Sequence, residues 1–328
     1  MMDLKNLGER KIIELLTKRF DVMPNSKLQF TDDVSTIELG GGKLAILNVD
    51  MLVQSTDILP GMSYRQVARK AVVMTVSDFA SKGVQPLGIL TSLGLPSTMR
   101  KKDIEEIAYG LNAGAREYGS YVIGGDTNES KELIIDCMCF GITNEKHLMK
   151  RSGAKPGDIL AVTGLFGDTT SAMKILLDDE KAPPELMNNL LEKVYLPQAR
   201  LKEGLALAEV GAVTSSIDSS DGLAHSLREL SISSGVGFEI DVLPGSPSTL
   251  AFSSISGLEE SQLIFYGGEE YEIVFTVPPK KWKKVEGAIT SIGGKLIKIG
   301  KVNSSRNIIF KDKGKRRILG SSGWEHFQ

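Results

Sequence analysis

Three apolar, strand-like runs in this chain give way to an aspartate set among small residues. LAILNVD ends at Asp50, YVIGGD at Asp126, and AVTSSID at Asp218 with Asp221 close behind; in mirror order, TDD places Asp32 and Asp33 just ahead of the run STIEL. This recurrence constrains the fold more than any other feature. Strands that alternate with helices and keep polar residues at their ends belong to α/β and α+β architectures, in which ligands gather at strand termini. Each aspartate alone has an ordinary explanation as an N-cap or Asx-turn, and DSSDGLAHSL resembles a capping box between Asp218 and Asp221. Four such coincidences point to a shared purpose.

The runs around these aspartates read as elements. STIEL and KLAILNV, separated by Gly40, Gly41 and Gly42, form a hairpin. SYRQVARKAVVMTVSDFASKG has a Ser start, a periodic apolar face and Gly83 as C-cap. LGILTSLGLP is a strand, STMRKKDIEEIAYGLNAGAREYG a second helix, and YVIGGDTNES and LIIDCMCFGI two more strands. The polar RSGAKPGD (Arg151–Asp158) is the expected hinge, after which the alternation restarts. DILAVTG, GVGFEIDV, YEIVFTV, LIKIGKV and NIIF read as strands, and PPKKWKKVEGAITSIGG as a helix. At 328 residues the chain exceeds one ordinary core, so two domains are expected, 1–148 (α/β) and 149–328 (α+β).

The net charge is −2, from 39 basic and 41 acidic residues, and gives no global drive toward nucleic acid or anionic membrane. The basic runs KKWKK and KDKGKRR, which suggest a nucleic-acid binder, read as solvated faces at that balance. Cys137 and Cys139 share a strand face with no zinc spacing around them, which fits a reduced compartment. No apolar run approaches the ~20 residues of a membrane span, and the N-terminus reads as an amphipathic helix carrying Ile12, Ile13, Leu15, Leu16 and Phe20. A cytoplasmic protein is expected.

Asp78 follows Val67, Ala71 and Met74 at helical steps, which puts a carboxylate on or beside an apolar stripe. A buried carboxylate needs a cation; Lys70, Lys82 or a metal ion are the alternatives. If Asp33, Asp50, Asp78, Asp126 and Asp218 converge, their repulsion, roughly 3 kcal/mol per pair at ~5 Å and a dielectric near 20, requires cations. Hard oxygen donors select Mg²⁺ or Ca²⁺, and the absence of an EF-hand spacing favours Mg²⁺, which completes its shell with water and phosphate. A nucleotide is the natural partner. Every Gly-Lys pair is followed by Leu, Val or Arg, so there is no P-loop; G-x-G-x-x-G and H-R-D are also absent. Gly164–Gly167 (GLFG) ahead of a helix is a weak phosphate cradle.

In this order and over nearly the whole chain, TDDVSTI, VDMLV, SDFASKGVQP, IGGDT, RSGAKPGD, TGLFGD, IDSSDGL, GGEEYEIVFT and the terminal GWEHF resemble the thiamine-monophosphate kinases of the aminoimidazole ribonucleotide synthetase-like superfamily. The resemblance implies an N-terminal domain whose sheet pairs with a second subunit, and ATP with several Mg²⁺ ions between the domains. It assigns Asp33, Asp50, Asp78, Asp126 and Asp218 to Mg²⁺, Asp221 to a further ion, and Asn48 and Val49 to minor ligand positions. It assigns Tyr109, Gly125, Asp126, Arg151 and Ser220 to ATP, and Glu269 and Trp324 to the thiamine half of the acceptor. There are two departures. Val49 replaces a usual Ser or Thr, so that metal contact comes from the backbone or is lost. Asp57 stands where an acceptor-binding His is common, and a carboxylate does not donate to a phosphate. The reaction implied is direct γ-phosphoryl transfer from ATP to thiamine monophosphate, with no catalytic side chain beyond the metal-assisted alignment. Another superfamily activity on a different acceptor, or a non-catalytic metal-stabilised protein, are the rival readings.

Overall fold

The computed structural model describes residues 7–24, 26–28, 30, 32–312 and 314–320. Helix α1 (Glu9–Thr17) leads in and buries none of its residues; it ends before Phe20, short of the expected stripe. The first half then runs β1 (Ser35–Gly40), β2 (Lys43–Val53), α2 (Gln54–Asp57), α3 (Tyr64–Lys82), β3 (Pro86–Leu95), α4 (Lys101–Glu117), β4 (Val122–Glu129) and β5 (Ile134–Asn144). Its five strands lie in the order β1-β2-β5-β3-β4. Only the β3–β4 pair, joined through α4, is parallel; the β1–β2 hairpin turns at the predicted glycines.

The second half comprises β6 (Ile159–Val162), α5 (Asp168–Leu177), α6 (Pro184–Tyr195), α7 (Leu201–Val210), β7 (Ser215–Asp218), α8 (Leu223–Ser234), β8 (Gly237–Ile240), α9 (Pro247–Ser256), α10 (Glu260–Phe265), β9 (Ile273–Val277), α11 (Trp282–Ser291), β10 (Ile297–Asn303), β11 (Ile308–Asp312) and β12 (Lys315–Ile318). Its seven strands are ordered β12-β11-β8-β10-β6-β9-β7. No strand or helix interrupts the stretch between β5 and β6, where the hinge was expected.

Helix α3 is the axis of the molecule. Ser63 and Gln66 form a capping box at its start, and Gly83 (φ 67°) closes it in the left-handed conformation. It is not the one-sided amphipathic helix that periodicity suggested: thirteen of its residues are buried, because α4 packs along it, β2 and β5 cover it from the first sheet, and β7, β9 and α7 cover it from the second half. The crossing with α7 is close enough that a Cβ on Gly204 would fall 1.9 Å from the Ala80 carbonyl oxygen. One apolar core, from Leu44 and Ile46 through Val72 and Val76 to Phe275 and Val277, therefore joins both halves through this helix. A polar residue on α3 must find its partner inside the protein.

Among the described residues no layer covers the other face of the first sheet. Ile37, Val49, Met51, Leu90, Ile123 and Ile142 stand exposed on it, with Val49 at 65% and Ile123 at 63% exposure. Strand alternation puts these residues opposite those that pack on α3.

Candidate active site

The aspartates converge where α3 passes between the two sheets. Carboxylate oxygens of Asp33, Asp78 and Asp218 all lie within 4.8 Å of one another, in a geometry suited to a metal ion. Asp33 immediately precedes β1, Asp78 sits on α3, and Asp218 ends β7. Pairing of β1 with β2 stops at Leu47, so among the described residues the next stretch of β2, Asn48 to Asp50, has a free edge on that side. Asn48 points inward, donating to the Asp78 carboxylate at 2.9 Å and to the Thr75 carbonyl at 2.8 Å. Its amide oxygen is buried without a hydrogen-bond partner. Such an orphaned acceptor beside three carboxylates fits a hard cation that needs another oxygen donor.

Neighbouring hydroxyls hold the carboxylates in place. Ser77 donates to Asp218 at 2.7 Å and Ser81 to Asp33 at 3.0 Å. Lys82, fully buried, ion-pairs with Asp32 and Asp33 at 2.6 Å each and donates to the Ser216 carbonyl at 2.8 Å. Arg151 forks onto Asp33, with Nε at 2.6 Å, and its backbone N–H donates to Asp32 at 2.9 Å. The Asp32 side chain is 3% exposed and anchors Lys82. Lys82 does not serve Asp78, and Lys70 pairs with Glu269 instead. Asp78 has no local lysine. The capping-box reading of Asp218 also fails, because α8 starts at Gly222 with no side-chain cap.

Electrostatics divide the cluster. Burial pushes Asp33 upward, but Arg151 and Lys82 outweigh it and hold the carboxyl at about 2. Burial, then the charges of Asp33 and Asp221, lift Asp50 to about 7. Burial and then Asp33 do the same to Asp218, also to about 7. Asp78 is raised well above the usual carboxylate range by burial and by Asp50, Asp218 and Asp33. Two cations among so many carboxylates leave a site that favours either protons or metal. Asp221 stands at its outer side, with His225 Nδ1 3.4 Å away.

A cavity of about 410 Å³ opens next to Asp221 and Ser220. Both halves of the chain line it: Thr56, Asp57 and Leu59 with Met74 of α3 from the first, and α5 together with Gly267, Gly268, Glu269 and Tyr271 from the second. Glu269 and Tyr271 have positive φ, 66° and 53°, conformations that cost on the order of 1–3 kcal/mol each and concentrate at functional sites. Asp57 spends one carboxylate oxygen internally, accepting from the Val53 N–H at 2.7 Å and the Thr56 hydroxyl at 2.9 Å. It therefore closes α2 at the rim of the cavity. The GLFG cradle is taken by the protein itself: Glu270 accepts from the N–H groups of Gly167 at 2.6 Å and Thr169 at 3.3 Å.

Residues 31–143 match the family model "AIR synthase related protein, N-terminal domain", and residues 155–313 match its C-terminal counterpart. A thiamine-monophosphate kinase of Nitrosopumilus maritimus (strain SCM1) is 34% identical over 325 residues, covering 99% of this chain and 100% of the relative. That of Pyrococcus horikoshii is 34% identical over 327 residues, covering 99% and 98%. The chain belongs to the thiamine-monophosphate kinase family. It is accordingly a phosphotransferase. A solved structure, AaThiL complexed with AMPPCP and TMP, superposes with a TM-score of 0.86 at 27% identity and 99% coverage of both chains.

Measured against what the family resemblance implied, one chain assembles only part of the site. Asp33, Asn48, Asp50, Asp78, Asp218, Asp221, Arg151 and Ser220 meet at or beside the cluster, and Asp57 and Glu269 line the cavity. The Val49 side chain projects from the open sheet face, away from the cluster. Asp126 does not join the other aspartates, contrary to expectation. It pairs with Ser92 in the row that continues through Asp136 to Met51 on the open face. Three strand steps, roughly 14 Å, separate its strand from β2. Gly125, beside it, is a packing requirement, since a Cβ there would fall 1.8 Å from the Thr91 carbonyl oxygen. Tyr109 is exposed on α4 with the Arg65 guanidinium 4.9 Å from its ring centroid, roughly 20 Å along α3 from Asp78. Trp324, with the terminal GWEHF, lies outside the described residues. Ser77 and Ser81 carried no signal of their own beyond being polar within a segment buried on nearly every side, and Lys82, named as a partner for Asp78, serves Asp32 and Asp33 instead.

Proposed function

We propose that the chain transfers the γ-phosphoryl group of ATP in line to the phosphate of thiamine monophosphate, giving thiamine diphosphate and ADP with Mg²⁺ bound at the aspartate cluster. The observation that carries this reading is the convergence of Asp33, Asp78 and Asp218 within 4.8 Å beside the orphaned Asn48 oxygen, at one end of the cavity. Family membership, and the AMPPCP and TMP held by AaThiL, support the identity of the two substrates.

Asp33, Asn48, Asp50, Asp78, Asp218 and Asp221 would hold the Mg²⁺ ions, which when bound supply charge neutralisation between two anionic reactants. The acceptor phosphate is already ionised, so the chain needs no general base; its work is alignment. Arg151, poised against Asp33, is placed to share its guanidinium with ATP phosphate. The Met74, Leu59 and Tyr266 surfaces of the cavity exclude water from the acceptor, while Asp57 supplies a negative wall that a cationic thiazolium favours and Glu269, ion-paired with Lys70, stands beside it. Trp324 is kept as a further acceptor contact.

We further propose a homodimer built on the open sheet face. Its exposed apolar row supports this, and so does the position of Asp126: β4 is an edge strand, and Asp126 of the partner subunit, with its Gly125 and Tyr109, would complete the ATP site at the free edge of β2. The domain division is placed at 148/149, in the element-free stretch between the sheets. No helix among the described residues is long and apolar enough to cross a membrane, and the two buried free cysteines agree with the cytoplasm.

The test is thiamine diphosphate formation from ATP, Mg²⁺ and thiamine monophosphate, with thiamine as control acceptor, in wild type and Asp218→Asn. Product from the monophosphate alone, lost in the variant, is the expected result. ATP binding without a thiamine product would move the acceptor to another small molecule.

A further inference from the structure

Lys70 is fully buried on α3 and takes no part in the aspartate cluster. Its ammonium ion-pairs with Glu269 and donates to the Asp57 backbone carbonyl at 2.8 Å. These partners line the cavity from the two halves of the chain, each half forming one wall. Asp57 closes α2 on the first; Glu269 stands on the second, its N–H on the Ser220 carbonyl at 2.6 Å. We propose that Lys70 is a positioning residue that sets the gap between the two walls and so fixes where the acceptor lies, an inference that rests on the kinase reading above.

A buried ammonium must keep its partners, so neither wall moves away from it without leaving a charge unpaired. The second carboxylate oxygen of Glu269 is buried and has no hydrogen-bond partner, so the ion pair with Lys70 is what compensates this buried carboxylate and holds it in place. Lys70, Met74 and Asp78 follow one another at steps of four along α3, and Met74 lines the cavity between them. Helical rise puts Lys70 about 12 Å from Asp78. The same helix thus holds both ends of the acceptor, its phosphate at the aspartates and its far end at the Lys70–Glu269 pair.

The test is steady-state kinetics of wild type, Lys70→Met, Glu269→Gln and the double variant, varying each substrate with the other saturating. Lys70→Met is expected to raise KM for thiamine monophosphate ~10-fold or more, the range of a lost charged hydrogen bond, and to leave KM for ATP within about twofold. If Lys70→Met does not fold, the double variant, which removes both buried charges, is compared with Glu269→Gln alone: a further rise in KM for thiamine monophosphate supports positioning, and identical values overturn it. Equal rises in both KM values, or none, with an active wild type, overturn the role of Lys70 alone. A wild type that makes no thiamine diphosphate overturns the kinase reading and this inference with it.

Discussion

Replacing Asp78 by Asn should make the metal-free protein more stable and the enzyme nearly inactive. The Asp78 carboxylate has two neighbours, Asp33 and Asp218, within 4.8 Å. At an effective dielectric near 20 each ionised pair at that distance repels by about 3 kcal/mol. The folded chain relieves part of this by taking up protons, as the upward shifts of Asp78 and Asp218 show, so the gain from removing one charge is smaller than the sum, about 2–3 kcal/mol at pH 8. The Asn side chain keeps an oxygen for the Asn48 amide, which limits the loss of hydrogen bonding. For a chain of this size the change corresponds to a rise of about 4 °C in Tm. Differential scanning calorimetry in EDTA at pH 8, repeated with millimolar Mg²⁺, reads both effects: wild type should gain stability on adding Mg²⁺ and Asp78→Asn should gain little, with kcat at least ~100-fold lower. A variant that is less stable than wild type in EDTA and still responds fully to Mg²⁺ would refute the cluster as a cation site.

The remaining predictions concern linkage, packing and assembly. In EDTA the Tm of wild type should fall as pH rises from 5 to 8: Asp50 and Asp218 titrate near 7 when folded but near 3.9 when unfolded, so the folded state holds the extra protons and loses that advantage on deprotonation. Asp33, held at about 2, contributes in the opposite sense only below that window. Saturating Mg²⁺ should reverse the trend, and a Tm that climbs with pH in EDTA contradicts the assignment. Gly204→Ala puts a Cβ 1.9 Å from the Ala80 carbonyl oxygen and should cost about 3 kcal/mol or more in urea unfolding; a neutral effect would mean that α3 and α7 part easily. Asp126→Asn and Asp218→Asn should each be inactive alone, whereas unfolding and refolding them together should restore roughly a quarter of the wild-type activity, because half of the dimers then carry one intact shared site. No recovery would place Asp126 in the site of its own chain.

Much of the architecture was legible because it follows from local chemistry. The Gly40–Gly42 turn, the Ser63 and Gly83 ends of α3, and the period-two runs of β2 and β5 are each determined within a few residues, and the structure has them where the sequence puts them. The Ser-rich helices α9 and α10 were not legible: their stripe is short, and only Ser246 with Pro247 marks a start. The class of ion proposed for the aspartates was also carried by residue type alone, since hard oxygen donors with no imidazole or thiolate among them would select the same class of ion wherever the chain folds them.

Which aspartates meet is a different matter. Asp50 and Asp126 end runs of the same grammar, yet they fall on opposite faces of one sheet, because strand order and register decide which face a residue joins. The same applies to Lys70 and Lys82. Sequence spacing offers either as a partner for Asp78, but α3 is enclosed by two sheets, and the groups those sheets bring up, Glu269 on one side and Asp32 with Asp33 on the other, claim the lysines first. The sequence by itself determined most of the elements and the kind of chemistry. Only the tertiary structure decided the pairing of charges, since a buried charge is placed by whatever long-range contact can desolvate and satisfy it at once.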